Sequence, residues 1–148
     1  MATPNDRSIE VLGELLEVCR DGEQGFQTAA EGVRDPQLQI LFQTYSRQRQ
    51  EFAVELQTEI SRLGGDPERR GSVAGMLHHG WMNIRSAVAG GDNAILGEAE
   101  RGEDSARSAY EKAVAEGLPE GARLVVERQH ARVKEARDRV RAVRERAA

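Results

Sequence analysis

"SIEVLGELLEVCRDGEQGFQTAAEGV", residues 8–33, decides how the rest of the chain is read. Ile9, Leu12, Leu16, Cys19, Phe26, Ala30 and Val33 follow one another in alternating steps of three and four residues. That spacing lines apolar side chains along one narrow stripe of an α-helix, the seam of a helix bundle. One step is missing, and Glu23 fills it. A carboxylate among apolar side chains needs a partner or gives up its charge. The question this stretch raises is what the middle of the core contains.

Four further seams follow the same rule. Leu38, Leu41, Tyr45, Gln48, Phe52, Leu56, Ile60 and Leu63 mark a second helix over 36–63. Val73, Leu77, Trp81, Ile84 and Val88 mark a shorter one over about 72–89. Ile95, Ala99, Glu103, Ala106, Tyr110 and Ala113 mark a fourth over 92–116, again with a glutamate on the stripe. Val126, Gln129, Val133, Ala136, Val140 and Val143 mark the last, over 119–146. Caps and breakers bound them. Asn5 and Asp6 suit the start of the first, Asp35 and Pro36 open the second, "GGDP" ends it, Asp92 suits the cap of the fourth, and "GLP" separates the last two.

Composition agrees with an all-α protein. Aromatic residues are only 4% of the 148, and Ala, Glu, Arg and Leu are abundant, the profile of good helix formers. The length suits one domain spanning 1–148. A single cysteine, Cys19, rules out an intramolecular disulfide and a cysteine-based zinc site, and fits a reducing cytoplasm. The first ten residues carry no signal-peptide pattern, and no stretch reaches the roughly 18 apolar residues of a membrane span. The formal net charge of −4 does not call for nucleic acid. Residues 119–148 nevertheless hold nine Arg or Lys against five Asp or Glu, but acids alternate with the bases around a valine seam. A solvated helix face or a charged dimer edge is the plain reading of that helix.

Lengths suggest topology. Helices of roughly 25 residues are about 37 Å long. The first two form an antiparallel hairpin and so do the last two. A short helix returning along the bundle makes the second and fourth helices parallel, which is the ferritin-like arrangement. A plain five-helix up-and-down bundle has the same helix directions, and both remain open at this point. The hairpins also echo each other: shifted by 80 residues, Leu16, Gly22, Glu23, Ala29 and Glu31 fall on Leu96, Gly102, Glu103, Ala109 and Glu111.

The segments "DGE..F", "LGGDPE..GSVAG.LH.GWMN" and "AERGED.A..AYE" carry a resemblance that covers nearly the whole chain. It resembles a bacterial family of ferritin-like four-helix-bundle proteins catalogued as a domain of unknown function. The resemblance implies a ferritin-like bundle of two hairpins joined by a helical crossover. It implies no activity.

A ferritin-like di-metal site takes one carboxylate from each of two helices and Glu-x-x-His from each of the other two. Glu23 and Glu103 fill the single-carboxylate places, and Glu127-Arg-Gln-His130 supplies one Glu-x-x-His. Hairpin geometry sets Glu103 near the level of 130–133 and Glu23 near 46–48. These four residues are the candidate ligands for iron or manganese. The second helix has no histidine, and Gln48-x-x-Glu51 offers only an amide and a flanking carboxylate. The other reading is a structural polar layer or pocket, in which Tyr45, Gln48, Glu51, His78, Trp81 and Tyr110 surround the glutamates and Arg49, Gln129 and His130 add hydrogen bonds. Such layers fix register in bundles at a cost in stability.

Glycines inside the helices, Gly22, Gly25, Gly97 and Gly102, each cost about 1 kcal/mol relative to alanine and point to close packing. Cys19 reads as a small buried side chain. No nucleophile–base arrangement, phosphate loop or nucleotide fingerprint occurs. Two functions follow as expectations. The first is a non-catalytic ferritin-like scaffold or interaction protein, with an unidentified protein partner or self-association. The second is a metal-binding ferritin-like protein with an oxidase or storage role.

Overall fold

The computed structural model of the chain describes residues 3–68 and 80–147. Over these residues it is all-α: α1 Pro4–Gly32, α2 Pro36–Arg62, α3 Ile84–Ala89, α4 Asp92–Val114 and α5 Glu120–Ala147. The four long helices stand where the seams put them, and the ends differ for local reasons. Helix α1 starts earlier than expected because Thr3, not Asn5 or Asp6, is its cap. The Thr3 hydroxyl accepts from the Asp6 N–H, the Asp6 carboxylate accepts from the Thr3 N–H, and Pro4 takes the first turn. Asp35 caps α2 as expected, accepting from the Gln37 N–H at 2.8 Å. Asp92 does not cap its own helix. Gly91, at φ 92°, holds the cap position of α4. The Asp92 carboxylate instead accepts from the Arg34 and Asp35 N–H groups at 2.8 and 3.1 Å and ties the α1–α2 turn to the start of α4.

Of the crossover helix expected over 72–89, residues 72–79 lie outside the described residues, and with them His78. The described part is a turn over 80–83 followed by α3. No helix among the described residues is long and apolar enough to cross a membrane.

Packing gives a four-helix bundle. Helix α1 lies along α2, α4 along α5, α1 along α4, and α2 along α5. The diagonals of the bundle are therefore α1 with α5 and α2 with α4. Each adjacent pair is antiparallel: Phe26 meets Phe42, Asp104 meets Arg137, Arg7 meets Glu116 and Glu55 meets Arg128. The diagonal pairs consequently run parallel. Helix α3 packs outside, against α4 and α1.

The apolar core is in two parts. One cluster joins Leu12, Leu15, Leu16 and Cys19 of α1 to Phe52, Leu56, Tyr110, Val126 and Val133. The other joins Phe26, Ala29 and Ala30 of α1 to Phe42, Trp81, Ile84, Ile95, Leu96, Ala99 and Val140. Each long helix passes from one cluster to the other across a short gap. Gly22 lies in the gap of α1, Arg49 in that of α2, Gly102 and Glu103 in that of α4, and Ala136 in that of α5. All five are buried.

Candidate functional site

The gap between the two apolar clusters is closed by an ion pair. Arg49 of α2 reaches Glu103 of α4, with Nη1 2.5 Å from Oε1 and Nη2 2.5 Å from Oε2. The two side chains are 1% and 0% exposed. This is a fork-on-fork pair, in which two parallel charge-assisted hydrogen bonds fix both orientation and distance. The third guanidinium nitrogen is satisfied as well, since Arg49 Nε donates to Gln48 Oε1 at 3.2 Å. The guanidinium carbon sits 5.3 Å from the centre of the Phe26 ring, within cation–π range. Burial by itself pulls the Arg49 pKa down, but the charge and hydrogen bonds of Glu103 outweigh it and hold the guanidinium above its ordinary value.

Glycine makes the room. A Cβ at Gly22 stands 3.3 Å from Arg49 Cγ and 3.4 Å from Nη1, so the arginine stem passes close against the bare backbone of α1. At Gly25 and Gly102 a Cβ overlaps the Trp81 indole. Close approach, the reading given to these glycines by the sequence, holds for all three. It does not hold for Gly97, around which a Cβ meets nothing within 4 Å.

One turn away, a second polar line leaves the core. Cys19 Sγ lies 3.1 Å from Tyr110 Oη, which donates to Gln129 Oε1 at 2.6 Å. Gln129 Nε2 donates to the Phe52 carbonyl at 3.2 Å and to Glu55 Oε1 at 2.9 Å. Glu55 then meets Arg128 at the surface. Burial pushes the Cys19 thiol up to about 11, with the Tyr110 hydrogen bond opposing it. Burial likewise pushes the Tyr110 hydroxyl well above its ordinary value. Both groups are neutral hydrogen-bonding members of the core. A thiol so placed is not a nucleophile.

The candidate residues separate. Glu103 is the centre of the layer. Glu23 is half-buried, and its helix turns Gly22 rather than Glu23 toward Arg49. What is held at Glu23 is its backbone carbonyl, which accepts from Ser46 Oγ at 2.8 Å. Glu127 is exposed and pairs with Arg123 on the outer surface. His130 stacks on Tyr110, centroids 6.4 Å apart and rings 3° from parallel, and its buried Nε2 has no hydrogen-bond partner. Tyr110 and Trp81 are buried, Tyr45 and Gln48 are half-buried, and Glu51 is exposed. In the middle of α2 the fully buried residues are Phe42 and Arg49; of the expected seam, Leu41 is half-buried and packs against the edge of the second cluster, and Gln48 is half-buried beside Arg49.

The four metal candidates do not come together. Among the described residues no group of three or more His, Cys, Asp or Glu side chains converges to hold an ion. Both oxygens of Glu103 are already engaged by a cation. The described residues, placed in this way, do not fit a di-iron or manganese centre.

The family described as Domain of unknown function (DUF2383) matches residues 7–116. The chain belongs to that family. The DUF2383 match takes in Gly22, Arg49, Trp81, Gly102 and Glu103, and so the whole ion pair with the glycines beside Arg49 and Trp81. It stops at the end of α4, so the α5 partners Gln129 and His130 lie beyond it. No curated protein matches the chain.

Proposed function

We propose that this DUF2383 chain is a non-catalytic, ferritin-like scaffold that acts through a protein partner. Its core carries a fixed ion pair where a metalloprotein of the same arrangement carries ligands. The ferritin-like reading is supported by two antiparallel hairpins with parallel diagonals, and by α3, which packs against the outside of α4 and α1. The observation that carries the functional reading is the bidentate Arg49–Glu103 pair. A guanidinium is a permanent cation. Held against Glu103, it neutralises the carboxylate that would attract a divalent ion and takes up both of its oxygens.

Access supports the same reading. The cavity beside Arg49 is about 10 Å³ and is walled by Trp81, Gly22, Gly102 and Ser105. That is at most the room for one water, too little for a substrate in this closed arrangement. The alternative, a di-iron or manganese protein, requires Arg49 to leave Glu103 and further ligands to gather around it.

Metal content by mass spectrometry decides between them. The untagged protein is measured as purified, and again after anaerobic loading with iron(II) or manganese(II) and desalting. The expected result is well under one equivalent in both cases. Near-stoichiometric metal that disappears in Glu103→Ala overturns the scaffold reading in favour of the metalloprotein. Light scattering across a concentration series then establishes whether the partner is a second copy.

A further inference from the structure

Trp81 is the chain's one tryptophan, and its backbone is unusual. Its φ is 71°, and it is the one non-glycine residue with positive φ among the described residues. A bulky side chain pays a steric cost in that region, and such a conformation persists only where the surroundings impose it. The surroundings here are a slot. Gly25 of α1 lies against Cδ2, Cε3 and Cγ of the indole and Gly102 of α4 against Cε2, Nε1 and Cδ1, and a Cβ on either overlaps the ring. Gly80 rests on Gly102 so closely that a Cβ there comes within 2.7 Å of the Gly102 Cα. Phe26 meets the indole edge-on, with centroids 4.7 Å apart.

The indole and Gly80 line the small cavity that touches Arg49, together with Asp21, Gly22, Gly102 and Ser105, and Trp81 itself is 9% exposed. The next two residues, Met82 and Asn83, are exposed, Met82 at 69%. The turn therefore inserts one side chain and nothing else until Ile84. Among the described residues a buried carboxylate anchors it: the Asn83 N–H donates to Glu98 Oε2 at 2.6 Å, while Arg101 holds Glu98 Oε1 at 2.5 and 2.9 Å.

We propose that Trp81 is a removable plug, and that the protein has an open state in which the Gly80–Asn83 turn lifts and water reaches Arg49 and Glu103 while the four long helices stay packed. Opening gives up the burial of the indole. In return the backbone of Trp81 relaxes and two buried charges regain solvation. The walls at Gly25 and Gly102 carry no side chains, so on those sides the ring withdraws past bare backbone and gives up its edge-on contact with Phe26. The Glu98 anchor sets how often this happens.

Hydrogen exchange of the Trp81 indole N–H in the native protein, followed by NMR, tests this on the wild-type chain. The indole is expected to exchange at least roughly tenfold faster than the slowest amides of α1 and α2, with a weaker urea dependence than global unfolding. Glu98→Ala, which removes the anchor and leaves the slot intact, is expected to widen that ratio. Gly102→Ala, which obstructs the slot, is expected to shift tryptophan emission to the red and to raise acrylamide quenching, with helicity retained. An indole that exchanges together with the slowest core amides, in wild type and in Glu98→Ala alike, overturns the proposal. That comparison stands even if Gly102→Ala does not fold.

Discussion

Arg49 meets Glu103 across the diagonal of the bundle, from a helix that does not pack alongside its partner's. Neighbouring helices are already joined by apolar seams and surface ion pairs, but the diagonal is spanned only if a long side chain crosses the centre. Arg49 does so close against Gly22, and it ends on a carboxylate from the opposite helix. The pair divides the core into an apolar cluster on either side. A shift of α2 against α4 by one turn removes both hydrogen bonds and buries two unpaired charges. The pair thus penalises wrong registers more than it rewards the right one.

The glycines give the first prediction, because they fall into two kinds. Gly13 and Gly97 lie inside helices, and a Cβ placed on either meets nothing within 4 Å. Gly13→Ala and Gly97→Ala are expected to stabilise the protein by about 1 kcal/mol each, the ordinary helix-propensity gain. Gly22→Ala meets the stem of an arginine that cannot move without breaking its pair. It is expected to destabilise by about 1 kcal/mol or more despite the same propensity gain. Urea midpoints of the three variants check the contrast.

Tyr110 donates to Gln129 inside the core. Tyr110→Phe keeps the ring and its stacking on His130 but leaves Gln129 Oε1 without a donor. The expected cost is about 1–3 kcal/mol, the penalty of an unsatisfied buried acceptor. A cost near zero in chemical denaturation contradicts the buried line from Cys19 to Glu55.

Alkaline pH acts on the same line. The folded-state Cys19 pKa is raised from 9.0 to about 11, and that of Tyr110 is raised too. A raised acid holds its proton more tightly when folded, so its stabilising contribution is complete below the unfolded pKa and disappears as pH climbs through the folded one. Stability is expected to fall progressively between pH 9 and 11, less steeply in Cys19→Ala. Native Cys19 is expected to resist thiol reagents at neutral pH. A denaturation midpoint that stays flat across this window argues against the placement of both groups.

Much of this was legible beforehand. Every stripe residue of α4, from Ile95 to Ala113, is buried as its three-and-four spacing requires, and so are Val126 to Val140 of α5. Glu103 could be found because a carboxylate on that stripe has nowhere else to point. Its partner was harder to assign. Arg49 sits one position off the strict repeat, next to a Gln48 that fits the repeat better, and periodicity does not register a helix rotating by one residue to aim a long side chain inward. Glu23 misled for the complementary reason. It stands on the repeat and matches Glu103 under the 80-residue shift, but the buried residue at that level is Gly22. A glycine leaves no mark in an apolar pattern, and only the shape of what packs against it shows why it is there. The cap of α4 was missed similarly: the best capping residue near its start, Asp92, is used by the turn between α1 and α2.

That use of Asp92 has its own consequence. Asp92→Ala removes the acceptor for two N–H groups of a different connection, so its effect reaches the α1–α2 hairpin. The expected loss is about 1–2 kcal/mol, with faster amide exchange at Arg34 and Asp35. An effect confined to the first turn of α4 contradicts the assignment.

The most direct test of the central claim is a double-mutant cycle on Arg49 and Glu103, using Arg49→Met and Glu103→Leu singly and together, read by urea denaturation. Each single substitution is expected to cost about 3–5 kcal/mol, because it strands the other charge in the core. The double variant is expected to lie within about 1–2 kcal/mol of wild type, or above it, since two apolar side chains of similar length replace a desolvated pair. Single effects that simply add, to within about 0.5 kcal/mol, mean that the two residues do not hold each other, and the account of the core fails.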